Sequence, residues 1–369
     1  MTTDPTGELA ALRVEFQSFV AREGKDYSPL YERLSAIAAD EPDVLRLLLP
    51  APPEFRRYTL FFASLHSVLA ENPDDPLAAW FPTVSGRPPR ADDPAEAFTA
   101  FCRRHAGAIA ERVAVNRTQT NEVGRSAALL LGLARAAARA GDAPLGLIEL
   151  GCSAGLNLGA DRFGYAYENG PVLEAPDSDV VIRSRLEGDW TGLLPAARPA
   201  VAWRAGLDAA PIDVTDDRAV GWLAACVFGD HAERAVRLRA AVAAARKDPP
   251  RLLRRTLPDG VAELLAEVPD GVYPCLMNSW VLSYVDPGAV ARVLEAVREY
   301  SRLRPVSWVT LEPSGSVPGF GVPIPAGAQP PTLLGVSHFA GGERTDEFLA
   351  VTHPHGAWIR RRSPDHDPA

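Results

Sequence analysis

Glu149-Leu150-Gly151-Cys152-Ser153-Ala154-Gly155 places an acid, two glycines and a serine within seven residues. The apolar run Leu145–Leu150 leads into it, and the amphipathic stretch Leu156–Phe163, with Asn157 in it, leads away. This is the pattern of a buried strand turning through small residues into a helix. Glycine lets a backbone come close to a ligand, and a helix N-terminus offers unpaired N–H groups. Open α/β sheets bind ligands outside the carboxyl ends of their strands. The chemistry available is therefore either ligand cradling or, through Ser153, nucleophilic attack. A tight turn that only packs would use the same residues.

Other polar groups gather where the same sheet edge should lie. In Thr120-Asn121-Glu122-Val123-Gly124-Arg125, Asn121 and Arg125 stand four apart and would share a helix face. If that helix packs back along the strand, its N-terminal end reaches the Gly151–Gly155 turn. Arg125 could then fork onto a carboxylate; the alternative is a solvated arginine beside a capping asparagine. Asn278 and Ser279 end the run Val272–Met277, Asp208 follows Val201–Gly206, and Glu312 ends Val306–Leu311. Glu312 reads equally as a base or as a loop acid, while Trp280 and Tyr284 read as core before substrate wall. His353-Pro354-His355-Gly356 offers two histidines, but a hairpin turn explains it more simply. With no third ligand in view, no metal is expected.

The elements that must position these residues fall into two regions. Residues 1 to about 140 read as helix after helix, with apolar spacing in Leu9–Arg22, the cap Ser28-Pro29 before Leu30–Ala39, and one apolar face along Pro53–Ala70. Asp93-Pro94-Ala95-Glu96 has capping-box spacing and should open a helix to about Val113. Glu71–Arg90 reads as a Pro-rich loop, and Thr118–Ala140 as the last helix, capped by Thr120. Strands then follow at Leu145–Leu150, Val180–Ser184, Val201–Gly206, Val272–Met277 and Val306–Leu311, with helices at Thr215–Phe228, Asp230–Arg246 and Pro287–Tyr300. Thr332–Phe339, Thr345–Thr352 and Ala357–Arg361 suggest an antiparallel hairpin on the sheet edge. The expected fold is α/β: a Rossmann-like, mostly parallel sheet with an antiparallel C-terminal hairpin, behind an all-helical N-terminal region. The expected boundaries are 1–117, 118–362 and a loose tail, 363–369.

Composition narrows the function classes. The 369 residues carry 47 acidic and 38 basic side chains, a formal charge of −9, which disfavours a general nucleic-acid binder. Only Lys25 and Lys247 are lysine, a bias without functional weight. Cys102, Cys152, Cys226 and Cys275 are too scattered for a zinc site or a disulfide framework and read as free thiols. The apolar stretch Ala127–Ala134 ends at Arg135, short of the ~20 residues of a membrane span. Nothing reads as a targeting segment. The expectation is a cytoplasmic protein with a small-molecule substrate, no nucleic-acid partner and no membrane.

Two families share the letters of the turn. Glu149–Gly155 resembles the acid-x-Gly-x-Gly-x-Gly loop of class I S-adenosylmethionine methyltransferases, with Ser153 in place of the middle glycine. It also matches Gly-x-Ser-x-Gly, the nucleophile elbow of α/β-hydrolases, which would make Ser153 the nucleophile. Chain order favours the first, because the turn follows what reads as the first strand and no Gly-rich oxyanion loop precedes it. Over nearly its whole length the chain resembles a bacterial family catalogued as a domain of unknown function and similar in fold to class I methyltransferases. The resemblance rests on Thr120–Arg125, Glu149–Leu158, Gly206–Asp216, Asn278–Val285 and His353–Trp358.

The resemblance implies a methyltransferase using S-adenosylmethionine on a small molecule. Asn121 and Arg125 would hold the cofactor carboxylate. Glu149 would orient it, and Gly151, Ser153, Gly155 and Asn157 would line it. Asn278 and Glu312 would orient the substrate or take its proton. Asn278-Ser279-Trp280 departs from the Asn-Pro-Pro-Tyr form of the amino-methylating enzymes, so that substrate class is not indicated. Glu168 and Glu174 stand near the spacing of a ribose-binding acid. A non-catalytic binder of a nucleotide-like ligand, and a Ser153 hydrolase, are the alternatives.

Overall fold

The computed structural model describes residues 5–19, 27–325 and 328–361. Val20 and the tail 363–369 lie outside them. Contacts divide the chain into two units: Met1–Thr120 with Asp217–Val236, and Asn121–Asp216 with Arg237–Ala369.

The first unit is helical. It contains α1 (Pro5–Phe19), α2 (Pro29–Asp40), α3 (Pro42–Arg46), α4 (Tyr58–Ala70), α5 (Pro82–Ser85), α6 (Ala95–Arg104) and α7 (Ala106–Val115). Ser28 caps α2 by accepting from the Tyr31 N–H at 3.2 Å, and Pro29 needs no partner in the first turn. The single apolar face expected along Pro53–Ala70 is not what forms. Pro53–Phe55 is a separate 3-10 turn that leaves Phe55 exposed, and α4 is buried on nearly every side. Its neighbours α1 and α7 are joined there by α9 (Asp217–Ala225), which returns from later in the chain. The expected helix Asp93–Val113 is broken at His105, whose ring packs on Phe101. The Pro-rich segment 71–90 holds a 3-10 turn, Pro76–Trp80, capped by Asp75, and then α5.

The second unit is built on one eleven-stranded sheet. Its strands are β1 (Leu145–Leu150), β2 (Gly164–Glu168), β3 (Val172–Leu173), β4 (Val181–Glu187), β5 (Val201–Asp208), β6 (Arg251–Arg254), β7 (Tyr273–Ser279), β8 (Val306–Pro313), β9 (Thr332–Ala340), β10 (Glu343–Thr352) and β11 (Trp358–Arg361). The spatial order is β3-β2-β4-β11-β10-β9-β8-β7-β1-β5-β6. The five strands β6-β5-β1-β7-β8 are mutually parallel. β9 is antiparallel to β8, and β10 to both β9 and β11. β11 then pairs in parallel with β4, and β4 with β2. The hairpin expected at the sheet edge therefore lies inside the sheet, because the chain inserts β2–β4 between β1 and β5 and these strands dock beyond β11.

Both faces near β1 are covered. On one, α11 (Val261–Glu267) and α12 (Pro287–Tyr300) bury Leu264, Leu265, Val290, Val293 and Val297 against Ile148, Leu150, Leu207, Leu276 and Trp308. Each such side chain, fully buried, contributes roughly 1.5–3 kcal/mol. On the other face α8 (Ser126–Ala140) touches β7, β8, β9 and, from the far half of the sheet, β4. The Tyr167 hydroxyl on β2 donates to the Ala127 carbonyl at 2.7 Å. The sheet thus wraps around α8. The remaining helix, α10 (Ala232–Lys247), precedes β6. No helix among the described residues is long and apolar enough to cross a membrane.

Candidate functional site

The turn after β1 is anchored on β5. The N–H groups of Gly151 and Cys152 both donate to the Leu207 carbonyl, at 2.9 and 3.1 Å. Ser153 N–H donates to Asp208 Oδ2 at 2.8 Å, and Asp208 Oδ1 accepts from Ala210 N–H at 2.8 Å. Gly151, Ser153 and Gly155 all have left-handed backbone, at φ +66°, +52° and +68°. Glycine adopts this freely, whereas Ser153 does so because both its flanks are tied down. A helix does not follow. Leu156–Arg162 is a 3-10 stretch, and the Leu156 N–H is taken by Asn121 Oδ1 at 3.1 Å.

Asn121 and Arg125 do not share a helix face as the spacing suggests. Residues 116–122 are non-helical, Val123–Arg125 is a 3-10 turn, and α8 starts only at Ser126. Two contacts explain the break. Glu122 accepts from the Gly124 N–H at 2.9 Å, capping the turn. Gly124 also passes so close to His355 that a Cβ would lie 2.6 Å from its carbonyl oxygen. The segment nevertheless reaches the turn after β1, and more besides. Asn121 holds Leu156, Ser126 Oγ donates to Asn157 Oδ1 at 2.8 Å, and Arg125 donates to the Pro354 carbonyl (2.8 Å) and the Ser279 carbonyl (3.2 Å). It ties together the ends of β1, β7 and β10.

Two carboxyls are buried within this knot. Glu149 is 2% exposed; its Oε1 lies 3.5 Å from Asn157 Nδ2 and its Oε2 has no hydrogen-bond partner. Burial pushes its pKa up to about 8, against the lowering effect of Asn157. Glu312 is equally buried, and burial raises its pKa too. Its Oε1 accepts from Asn278 Nδ2 at 2.6 Å and from the Val281 N–H at 2.8 Å, while Oε2 has no partner. Asn278 is held in turn by the Trp308 indole N–H, which donates to Oδ1 at 2.6 Å. Buried acids with raised pKa can hold or accept a proton near neutrality.

His353 and His355 form the turn between β10 and β11. The His355 N–H donates to His353 Nδ1 at 3.1 Å, and His355 Nδ1 lies 3.8 Å from Glu122 Oε2. Glu122 also accepts from Arg237 at 3.2 Å. Among the described residues no group of three or more His, Cys, Asp or Glu is gathered as for a metal ion. All four cysteines are free. Glu168 is on β2 and Glu174 just follows β3, and both strands are far along the sheet from β1. Asp208 is the acid that ends the strand beside β1. The sequence places it at this sheet edge, and the strand order adds that its strand is the neighbour of β1.

No curated protein and no solved structure shows a match to this chain. A family model described as an uncharacterized protein conserved in bacteria matches residues 13–361. The chain thus belongs to that bacterial family, DUF2332.

Proposed function

We propose that the chain is a methyltransferase that uses S-adenosylmethionine on a small molecule. One observation carries the reading: β6-β5-β1-β7-β8 has the parallel order 3-2-1-4-5 of a dinucleotide-type α/β sheet, with the glycine turn leaving its central strand. Asp208 ends the second strand of that order, where an acid suits ribose hydroxyls.

The fit to the cofactor differs from the one the resemblance implies. Arg125 is buried and donates to two backbone carbonyls, and Asn121 holds a backbone N–H, so neither is assigned to a carboxylate. The N–H groups of Gly151, Cys152, Ser153 and Gly155 in the turn are likewise engaged. The groups that do fit are acids: Asp208, and Glu149 with its unpartnered oxygen, suit hydroxyls and cationic atoms. When bound, the cofactor supplies an electrophilic methyl group on a sulfonium. Glu149 and Asp208 bind and orient. Asn278, fully buried and clamped between Trp308 and Glu312, fixes the Glu312 carboxyl in place, and Glu312 is the group placed to hold a proton.

Calorimetric titration with S-adenosylhomocysteine tests this reading. Wild type should bind, and Glu149→Gln should bind roughly tenfold more weakly. No binding by wild type at millimolar ligand removes the proposal. Gly151→Val is a poor probe, since a Cβ at 151 would lie 2.2 Å from Val281 Cγ2. The left-handed Ser153 favours one second reading, the hydrolase elbow. Labelling of Ser153 by a fluorophosphonate, lost in Ser153→Ala, would establish that reading instead.

A further inference from the structure

Two imidazoles and an acid meet at the carboxyl edge of the sheet. β10 is antiparallel to β9, which is antiparallel to β8, so β10 ends at the same edge as β1, β7 and β8. The turn His353–Gly356 that follows β10 therefore stands on the edge that carries the glycine turn. The segment before α8 joins the two. Asn121 holds Leu156, Arg125 holds the Ser279 and Pro354 carbonyls, and Glu122 between them faces His355.

The oxygens of Glu122 are divided. Oε1 accepts from the Gly124 N–H at 2.9 Å and from Arg237 at 3.2 Å, whereas Oε2 lies 3.8 Å from His355 Nδ1. The acid side chain is 4% exposed and the imidazole 23%. A dry, firmly held carboxyl against a partly exposed imidazole is the arrangement that orients a general base: the acid steers Nδ1, and Nε2, on the far side of the ring, becomes the proton-accepting atom. The separation is an ion-pair distance, and such contacts tighten when substrate is bound. His353 is employed differently, because its Nδ1 accepts the His355 N–H at 3.1 Å and its ring lies edge-on to Trp358. Glu312 is placed differently, fully enclosed and bonded to Asn278 and Val281. His355 combines partial exposure with an orienting carboxyl.

We propose that His355, oriented by Glu122, is the general base that takes the proton from the methyl acceptor. The inference rests on the methyltransferase reading and gives the acceptor a chemical class, a hydroxyl or an amine. His355 Nε2 takes the proton of the acceptor's O–H or N–H, whose electron pair forms the new bond to the methyl carbon. The pair of the breaking carbon–sulfur bond stays on sulfur. Glu122 is the positioning residue, since it touches the imidazole and not the acceptor. Three other charged or titratable groups face the pair. Arg237 reaches the acid, the His353 ring centre lies 5.7 Å from that of His355, and Arg125 bonds the Pro354 carbonyl between the two histidines.

Two measurements on the full chain test this. The first is an NMR titration of the histidine rings, with His355 assigned by the signal missing from His355→Gln. Glu122→Gln should weaken proton binding at His355 roughly three- to tenfold, and Arg237→Gln, which leaves the acid to the imidazole, should strengthen it. The glutamine can still accept from Gly124, and should Glu122→Gln fail to fold, Arg237→Gln carries the test. A His355 midpoint that neither substitution moves overturns the pair. The second is calorimetry at that midpoint in buffers of different ionisation heat. Binding of S-adenosylmethionine should release up to about half a proton more than binding of S-adenosylhomocysteine, because only the first sets a positive sulfur beside an imidazolium. His355→Gln should erase the difference. Equal proton release by the two ligands in wild type overturns the place of His355 beside the methyl group. If neither ligand binds, the methyltransferase reading fails, and the titration alone decides the pair.

Discussion

Gly124 and Gly356 touch backbone to backbone. A Cβ on Gly356, whose φ is +79°, would lie 2.1 Å from the Gly124 carbonyl oxygen. This contact joins the segment before α8 to the turn between β10 and β11, and Arg125 reinforces it through the Pro354 carbonyl. Gly356→Ala should therefore lower stability by at least ~2 kcal/mol, from backbone strain together with the clash. Urea denaturation measures it, and a change within experimental error would mean the two segments can separate without cost.

Gly132 and Gly221 both lie inside helices, α8 and α9, but should answer oppositely to alanine. At an open helical site Gly→Ala gains about 0.5–1 kcal/mol. Nothing lies within 4 Å of a Cβ at Gly221, so Gly221→Ala should stabilise. A Cβ at Gly132 would lie 2.4 Å from Val309 Cγ1, and overpacking costs about 1–3 kcal/mol. Gly132→Ala should destabilise. Thermal melts of both variants check the pair of signs.

Burial raises the Glu149 pKa in the folded protein from its ordinary value of 4.5 to about 8. The folded state then holds a proton that the unfolded chain has lost. Its contribution is fully present below about pH 4.5 and disappears as pH rises through about 8. Wild type should lose on the order of 3 kcal/mol more than Glu149→Gln between pH 5 and 9. Parallel denaturation profiles for the two proteins would show that Glu149 is ionised when folded.

His66, buried in the first unit, behaves in the opposite sense. Its Nδ1 lies 3.1 and 3.0 Å from the Ala225 and Val227 carbonyls, and burial drops its pKa to about 4. The stability it gives is present above about pH 6.5 and is lost as pH falls through about 4. At pH 4.5 wild type should have lost about 2 kcal/mol more than His66→Gln, each relative to pH 7. Chemical denaturation at the two pH values reads this difference directly.

Much of the architecture was legible because its signals are local. Ser28-Pro29 carries its own cap, so the expected α2 matches almost to the residue, and the helical pattern at Pro287–Tyr300 coincides with α12. Leu145–Leu150 and Val306–Leu311 are mostly apolar and buried along their whole length because both faces of those strands are covered. β3 and β6, of two and four residues, are too short to show an alternation, and the five-residue β2 is likewise absent from the expected strands. The helix expected from Thr118 stops short for a reason no local pattern records. Its first turn is displaced by Gly124 meeting His355, a residue more than two hundred positions away.

The kinds of element, the acid–glycine–serine turn and the region where polar groups would gather can all be read from neighbouring residues. Those depend on side-chain periodicity and backbone permissiveness within a few residues. Tertiary structure alone decided what each polar group does. Arg125 and Asn121 became braces because backbone groups from distant loops reached them first. Glu149 and Glu312 became buried acids with one oxygen unpartnered, and Asp208 came beside Ser153. Hydrogen-bond partners and burial are properties of the packed chain, and the same residue type takes either role according to what surrounds it.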